Sequence, residues 1–108
     1  MAVELRDEAP GIVRVAGTID RREAERFVAW ALVAEVPGAS IELELEDAEI
    51  DGGAACAELV RGVRALLDRG LAVRLVHAPQ ALAHVIYRIG MMGRVTLVEP
   101  REEEPTSS

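Results

Sequence analysis

Apolar and polar residues alternate along this chain with two different periods, and the order of those periods predicts a fold. Gly11-Ile12-Val13-Arg14-Val15 has the two-residue period of a strand, and Pro10-Gly11 before it is a turn signal. Val3 and Leu5 fit an earlier edge strand, paired with it as a hairpin. After Gly17-Thr18-Ile19-Asp20 the period lengthens to that of a helix. It is predicted over Arg21 to about Val36, with Ala24, Phe27, Val28 and Ala31 on one face. Asp20 is placed to cap it, Glu23 stands at capping-box spacing, and Pro37-Gly38 stops it.

Ile41-Glu42-Leu43-Glu44-Leu45 alternates strictly and reads as a strand with one apolar face. A short acidic loop, Glu46 to Glu49, leads to Ile50-Asp51-Gly52-Gly53-Ala54, where a helical period begins and runs to Asp68. Ala55, Cys56, Leu59, Val63, Leu66 and Leu67 form its stripe, and Gly70 is placed to terminate it. Leu71 to Val76 is a third, mostly apolar strand. Pro79 opens a third helix with Leu82, Val85, Ile86 and Ile89 inward. Gly90 ends it, and Val95-Thr96-Leu97-Val98 is a last strand.

The order β(β)αβαβαβ implies crossover units. The expected class is α/β, with a mixed, mainly parallel sheet of four to five strands and three helices. Three helices are few for two sheet faces, so either one face stays partly bare or the helices pack mostly on one side. Residues 1–98 form this domain. Residues 99–108 are acidic and contain prolines with nothing to bury, and are expected to be a disordered tail.

At 108 residues the chain is one domain, and with only three aromatic residues its core must be aliphatic. The net charge of −7 repels phosphates and anionic headgroups, which argues against nucleic acid and membrane surfaces and for a protein partner with a basic face. Cys56 is the single cysteine, so no internal disulfide forms. A free thiol, a start at Met1 to Leu5 without signal-peptide character, and no apolar run of about 20 residues fit a cytoplasmic protein.

Gly17-Thr18-Ile19-Asp20, Ile50-Asp51-Gly52-Gly53-Ala54, Gly70 before a strand and the closing Leu82 to Gly90 together resemble the STAS family, over about Val3 to Val98. That family includes bacterial anti-sigma factor antagonists, which regulate transcription, and the STAS subunits of some transport systems. The resemblance implies the same α/β fold and a non-enzymatic role. Its members carry Asp-Ser-Ser-Gly or Asp-Thr-Ala-Gly where this chain has Asp51-Gly52-Gly53-Ala54. In the antagonists a partner kinase phosphorylates the hydroxyl residue after that Asp, at the N-terminus of the second helix. Here that position is Gly52, and neither it nor Gly53 can carry phosphate.

Asp20 and Asp51 read either as a small acidic partner-binding patch or as two helix caps. A carboxylate pair for acid–base chemistry is disfavoured, because no nucleophile or ligand set accompanies them. Gly52-Gly53-Ala54 lacks the surroundings of a phosphate-binding motif, and the chain contains no lysine. Small residues there allow a tight turn and a flat surface against which a partner can sit. Cys56 reads as a buried small hydrophobe, with a redox role as the minority reading. His77 and His84 have no Cys or second His at ligand spacing, which argues against a metal site. Trp30 lies off the centre of its helix face, as an interface anchor or packed under a loop. Met91-Met92 reads as core or loop filler.

The expected partner-binding residues are therefore Thr18, Asp20, Asp51, Gly52, Gly53, Ala54 and Trp30, with no catalytic, metal or cofactor site. The leading partner implied by the resemblance is a histidine-kinase-like ATPase anti-sigma factor, bound without a phosphorylation switch. A second reading is a subunit that binds the ATPase of an ABC-type phospholipid transport system. A third is a self-associating homodimer using Trp30 and a bare sheet face.

Overall fold

The computed structural model describes residues 4–101. Strand β1 (Glu4–Ala9) turns at Pro10-Gly11 into β2 (Ile12–Ile19), followed by α1 (Arg21–Val33), β3 (Ser40–Glu44), β4 (Ala48–Ile50), α2 (Gly53–Asp68), β5 (Ala72–Val76), α3 (Gln80–Arg88) and β6 (Val95–Val98). The sheet order is β1-β2-β3-β5-β6, with β4 also on β2. Only β1 is antiparallel to its neighbour. The other five strands are parallel, which is the expected mixed α/β architecture.

Two elements differ from expectation for identifiable reasons. β2 does not stop at Val15 but continues through Gly17-Thr18-Ile19, because it has a second partner there. Ile12 to Arg14 pair with Glu42 to Glu44 of β3, and Gly17 to Ile19 pair with Ala48 to Ile50. Thus β3 and β4 lie end to end along one edge of β2, and part of the expected acidic loop is a sixth strand. Three residues are too few to show a period. Helix α1 ends at Val33, not near Val36. Ala34 is already extended (φ −60°, ψ 137°), and Arg69 donates to the carbonyls of Ala31 (2.8 Å) and Ala34 (2.5 Å), capping the helix from outside.

The predicted stop of α2 holds as expected. Gly70, at φ +85°, donates to Leu67 (2.9 Å) and Leu71 to Leu66 (3.3 Å), a Schellman closure that needs the left-handed backbone glycine allows.

Alternate strand residues build the core. Val13, Val15, Ile41, Leu43, Val73, Leu75 and Val95 are buried against Ala24, Phe27 and Ala31 of α1, Leu59, Val63 and Leu66 of α2, and Leu82 and Ile86 of α3. Ile89, expected inward, is 44% exposed, since α3 ends at Arg88. The opposite sheet face carries Arg14, Glu42, Glu44, Arg74 and Thr96, with Arg14 paired to Asp47 and Arg74 to Glu42 (3.4 Å). Both open possibilities are met together: the helices pack on one side and the other face is bare and charged.

Candidate functional site

The carboxyl ends of β2 and β4 lie side by side, with Ile19 opposite Ile50, and the Asp51 N–H donates to the Ile19 carbonyl at 2.8 Å. Asp20 and Asp51 therefore emerge from neighbouring strands at one end of the sheet. Thr18 is exposed one residue before the end of β2. Asp20 does cap α1: its Oδ1 accepts the Glu23 N–H at 2.8 Å. Asp51 is not a cap, because Gly52 occupies the N-cap of α2 and no side chain closes that terminus. Of the two carboxylates, only Asp51 has no capping role.

Gly52 has φ +95° and ψ 164°, a backbone region essentially confined to glycine. That conformation turns the chain sharply from β4 into α2. Gly53 and Ala54 form the first helical residues, and both are exposed with Asp51 and Gly52. A Cβ added at Gly52 or Gly53 would meet nothing within 4 Å. The result is a flat patch of small residues over the positive end of the α2 dipole, with Asp20, Asp51 and Thr18 beside it.

Trp30 does not join this patch. It sits about 15 Å farther along α1 at the helical rise of about 1.5 Å per residue. Its ring stacks on Phe27 (centroids 5.6 Å apart) and lines a groove of about 650 Å³ with Pro10, Gly11, Val36 and Pro37 at the opposite end of the sheet. Cys56 is buried within the first turn of α2, its Sγ 3.8 Å from the Ala81 carbonyl. Burial pushes its thiol pKa up. A protonated, packed thiol is a poor redox centre.

Composition gave no hint of a second cluster, at the ends of β3, β5 and β6. His77 follows β5 at φ +55°; its Nδ1 lies 2.9 Å from Glu44 Oε1 and 4.0 Å from Glu46 Oε2, while Nε2 lies 3.3 Å from Glu99 Oε2. Among the described residues, Glu44, Glu46 and His77 are the group whose ligand atoms come close enough to hold a cation, within 4.8 Å of one another. The hydrogen bond between His77 Nδ1 and Glu44 draws the ring against these carboxylates. Glu44 and Glu46 are separated from His77 by more than thirty residues of chain, so only the parallel register of β3 with β5 reveals the cluster.

The hydrogen bond to Glu44 raises the His77 pKa, burial opposes it, and the charges of Glu44 and Glu46 and the Glu99 contact raise it further. A raised folded-state pKa means that the cluster stabilises the fold fully below the unfolded value of 6.5. That contribution is lost as pH rises through the higher folded value. The melting temperature of the wild type should fall as pH is raised from about 6 toward 9, and His77→Gln should lack that step. Superimposable profiles for the two proteins would contradict the assignment.

No helix among the described residues is long and apolar enough to cross a membrane. No protein-family model matches the chain, and no curated protein matches it either. Solved structures do. The phosphorylated form of the Bacillus cell fate determinant SpoIIAA superposes with a TM-score of 0.64 at 14% identity, over 90% of this chain and 91% of that one. The unphosphorylated anti-sigma factor antagonist SpoIIAA gives 0.58 at 13% identity, over 98% and 91%. A sulfate transporter family protein from Wolinella succinogenes gives 0.55 at 18%, over 79% and 74%. The fold is therefore STAS-like, as the resemblance in the sequence implies.

Proposed function

We propose that this STAS-like domain is a non-catalytic regulatory module that docks a protein partner on the patch formed by Thr18, Asp20, Asp51, Gly52, Gly53 and Ala54. The observation that carries the reading is the turn itself. Two exposed carboxylates stand beside a helix start of small residues, where a Cβ added at either glycine would meet nothing within 4 Å. A basic or hydrogen-bonding loop of a partner can approach the backbone closely there, and the charge of −7 favours a basic face.

SpoIIAA is an anti-sigma factor antagonist with a phosphorylated form. The leading partner for this chain is accordingly an anti-sigma factor of the histidine-kinase-like ATPase type. Gly52 removes the acceptor hydroxyl, and its glycine-only backbone leaves no simple way to restore one. The module is thus constitutively competent to bind, or controlled through its abundance. The same absence of a switch suits the ATPase of an ABC-type phospholipid transporter as the alternative partner.

Gly53→Glu tests the surface without harming the fold, because an acidic residue in the first turn of α2 is favourable. It should weaken binding to a purified kinase-type anti-sigma factor by about a hundredfold while the melting temperature holds or rises. Unchanged affinity in the variant would remove the patch as the docking site. Binding of a purified ABC ATPase instead, lost in the same variant, would transfer the surface to the transporter reading.

A further inference from the structure

β4 has a strand on one side only. β3 pairs with β5 through Glu44 and Val76, and Leu45 still donates to the Val76 carbonyl at 2.9 Å. Beyond that point β5 ends, the chain turns at His77 into α3, and the outer edge of the link into β4 loses its neighbour. Carbonyls on that edge are then left for something other than a strand to satisfy.

The segment after β6 supplies it. His77 donates to Val98 at 3.0 Å and Arg101 donates to Ala78 at 2.9 Å, so residues 99–101 run on beside the end of β5. Arg101, placed by composition in the acidic tail, then lays its guanidinium across the gap. Nη1 donates to the Glu46 carbonyl at 3.2 Å and Nη2 to the Ala48 carbonyl, while Nε is buried with no partner among the described residues. A planar group with several fixed donors can bridge two carbonyls in this way, and an ammonium cannot match that geometry. Glu99 closes the same strap from the other side, at His77.

We infer that Arg101 is a positioning residue for the docking turn: it stands in for the missing strand beside β4 and so fixes where Asp51 to Ala54 are presented. β4 is three residues long and runs directly into Asp51. Held by β2 alone, so short a strand frays easily. Held by β2 and Arg101, it delivers the turn in one geometry. The C-terminal strap is in this sense part of the recognition surface. Its functional consequence rests on the docking reading; its structural effect does not.

The test is hydrogen exchange on the full chain without any partner, comparing wild type, Arg101→Ala and Arg101→Lys. In Arg101→Ala the hydrogen-bonded amides of Ala48 and Asp51 should exchange roughly tenfold faster, while those of Val60 to Leu67 in α2 stay within about twofold. Arg101→Lys should recover only part of the protection. Exchange at Ala48 and Asp51 that does not change, or that rises equally throughout the chain, overturns the inference.

Binding to the purified kinase-type anti-sigma factor is then read beside Gly53→Glu. Arg101→Ala should lower affinity about tenfold. Intact affinity in Arg101→Ala, with binding lost in Gly53→Glu, overturns the positioning role. Intact affinity in both variants, with faster exchange at the turn, sinks the docking reading and leaves the strap supported.

Discussion

Gly62→Ala should lower stability by about 2 kcal/mol, despite alanine's advantage of about 1 kcal/mol over glycine inside a helix. Gly62 is buried on the face of α2 that packs against α1, the most extensive helix contact in the domain. A Cβ there would stand 2.4 Å from Cδ2 and Cε2 of Phe27. The ring has little room to yield, since Phe27 is 4% exposed and stacked on Trp30. For a domain of this size the loss should appear as a fall in melting temperature of about 10 °C, and Gly62→Val should cost more. The mechanism has its own check: Phe27→Leu should destabilise the wild type more than it destabilises Gly62→Ala, because it relieves the clash. A melting temperature that holds or rises in Gly62→Ala would show that the helices are not so closely apposed.

Gly52→Ser and Gly53→Ser should part company, although they introduce the same side chain at adjacent exposed positions. Neither Cβ would meet anything within 4 Å, so sterics do not separate them. Backbone does. Gly52 sits at φ +95°, ψ 164°, where a residue with a Cβ is strained by about 1–3 kcal/mol. Gly53 lies inside α2 with no such positive φ. Gly52→Ser should therefore lose stability by that amount or flip the turn, visible as displaced amide resonances at Asp51 and Gly53. Gly53→Ser should melt at or above the wild-type temperature, as a small gain in helix propensity allows. If both variants behave alike, the turn is not the fixed, glycine-only structure that the Gly52 backbone implies.

Much of this fold can be read from periodicity because the bare and buried sheet faces alternate cleanly. Ile41-Glu42-Leu43-Glu44-Leu45 is a strand with one face in the core and one in water, and the structure buries Ile41, Leu43 and Leu45. The capping role of Asp20 is equally local, since cap and donor are three residues apart. What escaped the sequence is non-local or too short. β4 offers three residues of pattern, and its strand character comes from pairing with β2 across thirty residues of chain. His77 meets Glu44, Glu46 and Glu99 only after β3, β5 and β6 are in register. Arg101 looks like part of a solvated acidic run until the open edge of the link before β4 is seen. Trp30 is the opposite case: its residue type suggests an interface, and the structure places it on a groove at the other end of α1 from Asp20 and Asp51.

Thr18, Asp20 and Asp51 to Ala54 share one end of the sheet although thirty residues separate their two segments. The central claim is that a protein partner is recognised there. The most direct measurement is amide chemical-shift mapping of the labelled chain during titration with a purified kinase-type anti-sigma factor. Docking on the patch predicts the largest changes at Thr18, Asp20 and Asp51 through Ala54, with the amides around Trp30 and Pro37 unmoved. Changes centred on the Trp30 groove or on the bare sheet face, with Asp51 to Ala54 silent, would contradict it.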